Sequence, residues 1–252
     1  MIGKLRALYR LCLFGVVTSA MLAFYLLSRT MRPATIGSAL ALRAQWMRRV
    51  PQWMGLRTHL TTPLPDATTG VMFVSNHRSY LDPIMIGAWV NGVVIAKHEV
   101  SKWPLIGAAN RAAGVVFVKR DESGSRHTVK ETMKDVLQQG YPVLNYPEGT
   151  TTRAPNLLPF KDGGFKVAAE TGCVVIPVAI EFDDPDDAWV GDDTFLRHFF
   201  QTFSKRRITA RVAFGPVLQS DDDRYLRETA HAWIAAALPS LRAAPEVKAA
   251  LP

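Results

Sequence analysis

The chain has 252 residues, with 30 Lys and Arg against 22 Asp and Glu, a formal charge of +8. Apolar residues make up 48% and charged ones 21%, which excludes a disordered chain. Two cysteines, Cys12 and Cys173, exclude a disulfide framework or a cysteine-rich zinc site, and free thiols in a reducing compartment are expected.

The charge is uneven. Residues 1–60 hold nine basic side chains and no acidic one, which leaves 21 basic and 22 acidic for the rest. A uniformly basic domain would point to nucleic acid. A basic first quarter on a near-neutral body points instead to an anionic membrane surface, and no nucleic-acid partner is expected. Leu11–Leu27 is uncharged and lies between Arg10 and Arg29. As a helix it would rise about 25 Å, short of the ~30 Å hydrocarbon core. Pro33 is expected to break it. Residues 36–58 mix Trp46, Trp53 and aliphatic residues with four arginines, as a basic interfacial segment does, with the Trp rings at headgroup depth. Three arrangements fit residues 1–58: a cleaved signal peptide, one spanning helix, or a helix pair dipping into one leaflet. The first lacks a small-x-small site after Leu27. The expected division is a membrane-anchoring segment, residues 1–60, followed by a catalytic domain, residues 61–252.

Beyond residue 60, short apolar runs predict strands at Val71–Val74, Val93–Ala96, Val115–Val118, Val143–Tyr146 and Val174–Ile180, with an alternating strand at Ile208–Phe214. Helical patterns fit Leu81–Val90, Pro104–Ala113, Gly124–Gln139, Lys161–Thr171 and Asp221–Leu238. Strands alternating with helices predict an α/β fold, a mostly parallel central sheet flanked by helices.

Three strand ends carry chemistry. Ser75–Asp82 (SNHRSYLD) leaves a buried strand and enters a helix, where open α/β sheets place ligands. His77 and Asp82 can meet if the chain turns tightly, the carboxylate holding one imidazole nitrogen and freeing the other as a base. Val115–Val118 ends in Lys119 and Arg120, a candidate anion grip. Tyr146–Thr150 (YPEGT) follows another apolar run. Taken singly, each also fits a capped helix, a basic strand end or a Pro-Gly turn.

Together, NHxxxxD, GxxFxxR, [FY]PEGT and Ile176–Pro177–Val178 occur in the order of the glycerolipid acyltransferases, the family of 1-acylglycerol-3-phosphate acyltransferase, which the chain resembles from about residue 70 to 218. Leu158–Phe165 is similar to the same family's FKxGxF stretch. The resemblance implies transfer of a fatty acyl group from acyl-CoA or acyl carrier protein to the free hydroxyl of a lysolipid, lysophosphatidic acid first, at the cytoplasmic face of the inner membrane. It implies His77 as base, Asp82 as its orienting group and Arg120 on the acceptor's phosphate. Asn76, Glu148, Gly149, Thr150, Arg153 and Lys161 match its substrate-binding stretches. It implies no metal or cofactor. The oxyanion donors are expected from the N–H groups of the loop at residues 76–82. One departure stands out: Thr151 occupies the position where phosphatidic-acid-forming members commonly carry Arg, which opens the choice of acceptor to another lysophospholipid or a lyso-aminolipid. A noncatalytic lipid-binding role is a third alternative.

Asp183, Asp184, Asp186 and Asp187 read as an exposed loop rather than a cation site. Trp189, Phe195, Phe199, Phe200 and Phe203 read as core packing rather than an acyl-chain contact.

Overall fold

The computed structural model describes residues 1–30, 35–66, 70–118, 123–191 and 193–243. The expected break at Pro33 lies outside them, as does Arg120. Seven strands form one sheet: β1 (Leu56–Leu60), β2 (Met72–Ser75), β3 (Val93–Lys97), β4 (Val116–Val118), β5 (Val143–Asn145), β6 (Val175–Phe182) and β7 (Ile208–Phe214). Their spatial order is β1-β7-β6-β2-β5-β3-β4. All neighbours run parallel except β6 and β7. The α/β expectation, with a mostly parallel sheet, therefore holds. All eight residues of β6 are buried, as a near-continuous apolar run covered on both faces requires.

Among the described residues, eight α-helices surround the sheet: α1 (Ile2–Ser28), α2 (Ile36–Trp53), α3 (Asp82–Ile86), α4 (Ile106–Ala112), α5 (Ser123–Gln138), α6 (Gly163–Thr171), α7 (Phe195–Phe203) and α8 (Asp223–Ala243). Strand alternation divides the interior into two cores. Phe73, Ile176, Ile180 and Leu144 pack beneath α1, α2 and α7 with Val50, Phe199 and Phe203. Met72, Val74, Val175 and Ala179 pack beneath α5, α6 and α8 with Met133, Phe165, Leu226 and Ile234.

Two elements were not legible in the sequence. Strand β1, LRTHL, fell inside the expected anchor, yet it pairs in parallel with β7 along its whole length, Leu56 opposite Ile208 through Leu60 opposite Val212. The sheet thus begins before the predicted division at residue 60. Helix α7 was read only as a set of aromatics. Its Phe195, Phe199 and Phe203 fall four residues apart on one stripe.

The N-terminal helices are fastened to the body. The Arg10 guanidinium donates to the carbonyl oxygens of Phe203, Lys205 and Arg206 at 2.8–3.0 Å, so a cation sits on the carbonyl end of α7. Gly55, at φ +81°, makes room for it. A Cβ there would lie 2.0 Å from Arg10 Nη2, so only glycine fits. Trp46, expected at headgroup depth, turns inward. Its Nε1 donates to Thr18 Oγ1 at 3.2 Å, and its ring meets Phe14 edge-on. Arg43 is also drawn in, donating to Asn91 Oδ1 and to the Gly92 carbonyl oxygen. The outer side of α1 stays uncovered, with Leu5, Leu8, Val16, Phe24 and Leu27 exposed.

Candidate active site

Strand β2 is central, between β6 and β5. Its carboxyl end delivers Asn76 and His77, and the end of β5 beside it delivers Tyr146 to Gly149. His77 Nδ1 lies 2.7 Å from Asp82 Oδ2. The same oxygen accepts from the Arg78 and Ser79 backbone N–H groups at 2.6 and 3.0 Å. This tight turn is what brings residues five apart together. Asp82 is fully buried, whereas the His77 side chain is 18% exposed. With Nδ1 engaged, Nε2 is the nitrogen left to exchange a proton with a ligand.

Both the ring and the backbone of His77 are held. The ring stacks on Tyr146 with centroids 4.3 Å apart. The backbone N–H donates to Glu148 Oε1 at 2.7 Å, and the carbonyl oxygen accepts from Thr152 N–H at 2.8 Å. Burial pushes the Tyr146 hydroxyl well above its ordinary pKa, which keeps it protonated beside the ring. Burial also raises Glu148, against the pull of the N–H groups of Leu158 and His77, the Thr152 hydroxyl and nearby Arg78.

Beneath the turn lies Arg78, with no exposed surface. Its Nε and Nη2 grip both oxygens of Glu181 at 3.1 Å, and Nη1 donates to Thr152 Oγ1 at 2.8 Å and the Asn156 carbonyl oxygen at 2.6 Å. One fork therefore ties the loop after β2 to the loop after β5 and to strand β6 itself. Arg242 from α8 also reaches Glu181, at 3.1 Å.

A cavity of about 1520 Å³ opens over His77. It runs between α1 and α2 past Phe14, Thr18 and Trp46, and along Tyr80, Trp103, Trp189, Phe195 and Phe199. The aromatics read as core packing thus have a second role. Phe199 and Phe203 are 3% and 2% exposed, yet both line the cavity.

The sequence-predicted substrate contacts divide. Gly149, Thr150 and Lys161 line the cavity with His77, and so does Thr151. Gly149 has φ +74°, so the turn favours glycine, and the Lys161 side chain lies against it. Asn76, Glu148 and Arg153 lie outside the cavity lining. Asn76 is fully buried and pairs with β6, its Nδ2 donating to the Ile180 carbonyl oxygen and its Oδ1 accepting from Ile180 N–H, both at 2.9 Å. It extends the hydrogen bonding between β2 and β6. Glu148 spends its oxygens on His77 N–H, Leu158 N–H and Thr152 Oγ1, and so fastens the loops. Arg153 is half-exposed and pairs with Asp186 at 2.7 Å, outside the cavity lining. Of the expected oxyanion donors in the loop at residues 76–82, the N–H groups of residues 77–79 are engaged by Glu148 and Asp82.

Sequence reasoning missed Arg78, Glu181 and Thr152. Arg78 was visible inside the NHxxxxD block, but its partners lie 74 to 103 residues away.

A histidine oriented by a buried carboxylate, at the strand ends of an α/β sheet and beneath an apolar cavity, is the arrangement that base catalysis on an apolar substrate requires. The family model described as Acyltransferase matches residues 55–181. The 1-acyl-sn-glycerol-3-phosphate acyltransferase of Neisseria meningitidis serogroup B is 32% identical over 173 residues, covering 65% of this chain and 67% of that one. The lyso-ornithine lipid O-acyltransferase of Pseudomonas aeruginosa is also 32% identical, over 162 residues, 60% of this chain and 62% of its own. In fold, the crystal structure of the 1-acyl-sn-glycerophosphate acyltransferase PlsC from Thermotoga maritima matches with a TM-score of 0.69, covering 97% of this chain and 99% of that one at 20% identity. The chain belongs to the Acyltransferase family and is an acyltransferase.

Proposed function

We propose that this enzyme transfers a fatty acyl group from acyl-CoA or acyl carrier protein to the free hydroxyl of lysophosphatidic acid, giving phosphatidic acid. The observation that carries the reading is the His77–Asp82 pair, its Nε2 uncommitted, at the wall of a cavity long and apolar enough for lipid chains.

In this reading His77 Nε2 takes the hydroxyl proton as the acceptor oxygen attacks the thioester carbonyl. The ester C–O bond forms, the C–S bond breaks, and the proton passes from the imidazole to the leaving thiolate. Asp82 orients the ring and stabilises the transient imidazolium, and a positioned base of this kind contributes about 10²–10⁴-fold. Lys161, Gly149 and Thr150 face the acceptor, and Arg120 reaches its phosphate. Helix α1 seats the enzyme in the membrane. It has a mean hydropathy of 2.1 over its most apolar stretch, of which only 11% is buried. The basic side chains of residues 1–60 then meet anionic lipid, with the active site on the cytoplasmic side.

Thr151 favours a second reading. A threonine in the cavity wall, where phosphatidic-acid-forming relatives commonly carry arginine, suits a less anionic acceptor such as a lyso-ornithine lipid. Product mass spectrometry decides between them, using the full chain in micelles with acyl-CoA and equimolar lysophosphatidic acid and lyso-ornithine lipid. Phosphatidic acid as the main product supports the first reading and acylated ornithine lipid the second. Transfer that persists in His77→Ala refutes both.

A further inference from the structure

The cavity is larger than the ~300–1,000 Å³ that usually holds one ligand, and it reaches both faces of the sheet. On the side of α1 and α2 its wall is apolar apart from Thr18 and Arg43, whose guanidinium is engaged by Asn91 and Gly92. On the side of α5, α6 and α8 the charged side chains among the described lining residues are Lys130, Lys161, Asp162 and Arg227. These gather around the first turn of α6. Lys130 Cε lies 3.5 Å from where a Cβ of Gly163 would stand, and Lys161 Nζ covers Gly149 beside the catalytic loop. Asp162 does not cancel them, because Lys166 pairs with it directly. Glu228 binds Arg224 at 2.8 Å and stands 3.8 Å from Arg227. Arg227 is one-third exposed, so this end of the cavity meets water.

A phosphate belonging to the lysolipid lies only a few bonds from its reactive hydroxyl and therefore stays near His77. A thioester donor differs: its phosphate lies at the far end of a long pantetheine arm. Lys130 and Arg227 stand beyond Lys161 on the face opposite the membrane helices, which suits the second geometry.

We propose that Lys130 and Arg227 bind the phosphate of a phosphopantetheine thioester, so that the donor enters from the α5–α6–α8 face while the lysolipid enters from the α1–α2 face. The inference rests on the acyl-transfer reading and adds the donor's site and path. Apart from the thioester, the ligand chemistry shared by coenzyme A and carrier protein is this phosphate on its arm.

The test is Lys130→Gln/Arg227→Gln in the full chain in detergent micelles, with acyl-CoA, acyl carrier protein and acyl-pantetheine (which has no phosphate) as donors. The KM for phosphorylated donors should rise about tenfold, with kcat and the lysolipid KM within about twofold. The KM for acyl-pantetheine should be equal in variant and parent. A rise for both phosphorylated donors assigns the site to the arm's phosphate. A rise for acyl-CoA alone assigns it to the nucleotide phosphates. An unchanged donor KM, an equal rise with acyl-pantetheine, or a rise for the lysolipid instead overturns the proposal. Calorimetric titration with coenzyme A reads the site without turnover. Binding weakened about tenfold in the variant sustains it even if the transfer reading fails, and equal binding overturns it.

Discussion

Asp82→Asn is the sharpest probe of the site. The amide is close to isosteric. Its oxygen, in the place of Oδ2, still accepts from Arg78 N–H, Ser79 N–H and His77, now at 2.6, 3.0 and 2.7 Å. Its NH₂ takes the place of Oδ1, which is buried without a hydrogen-bond partner among the described residues. The turn should therefore survive. One buried unpaired amide costs about 1–3 kcal/mol, partly offset because a buried charge is removed. The lost quantity is the negative charge beside the imidazolium as it forms. A hydrogen bond to a charged group is worth about 1.5–3 kcal/mol against about 0.5–1.5 for a neutral pair. Loss of base function adds to that difference, so kcat should fall about 10²–10⁴-fold, equivalent to about 3–5 kcal/mol. Both substrate KM values should stay within about twofold. The assay is continuous detection of released thiol with purified full-length protein in micelles, alongside a thermal melt by circular dichroism. A variant that keeps its fold and more than about a tenth of the parental kcat would refute the role given to Asp82.

Two further outcomes follow from the buried charges. Arg78→Met leaves Glu181, whose side chain is 5% exposed, with Arg242 as its remaining cation, and should cost up to about 3 kcal/mol; Arg78→Met/Glu181→Leu should recover part of that in thermal melts, and no recovery would mean that loop packing rather than charge dominates. Burial pushes Asp187 up to about 6, although Lys205 Nζ stands 2.7 Å away and is itself raised by its two aspartates. Between about pH 4 and 6 the folded state holds this proton more tightly than the unfolded chain does. Stability should therefore fall as pH rises through that window, by at most about 3 kcal/mol. Asp187→Asn should flatten the pH dependence of the melting temperature there, and an unchanged slope would contradict the assignment.

Much of this protein was written in local pattern. Six strands were legible, five because a strand covered on both faces reads as a short apolar run, as Val174–Ile180 does, and Ile208–Phe214 by its alternation. The motif blocks at residues 76–82 and 146–150 named the His77–Asp82 pair, since a five-residue turn is a local event. What the local pattern could not contain is the identity of distant partners. Strand β1 has only two leucines in LRTHL and exists because β7 offers it a parallel edge 152 residues further on. The basic side chains of the first 60 residues looked uniformly lipid-facing, yet Arg10 and Arg43 turn inward, because free carbonyl oxygens after α7 and before β3 accept them. Asn76 and Glu148 sat inside the motifs and suggested ligand contacts. The tertiary structure spends their polar atoms on the backbone of neighbouring strands and loops, because a buried polar group must be paired. Composition and spacing fixed the chemistry available at the strand ends. The tertiary structure decided which of those residues reach the cavity, since burial and hydrogen-bond partners are properties of the packed sheet and not of any one segment.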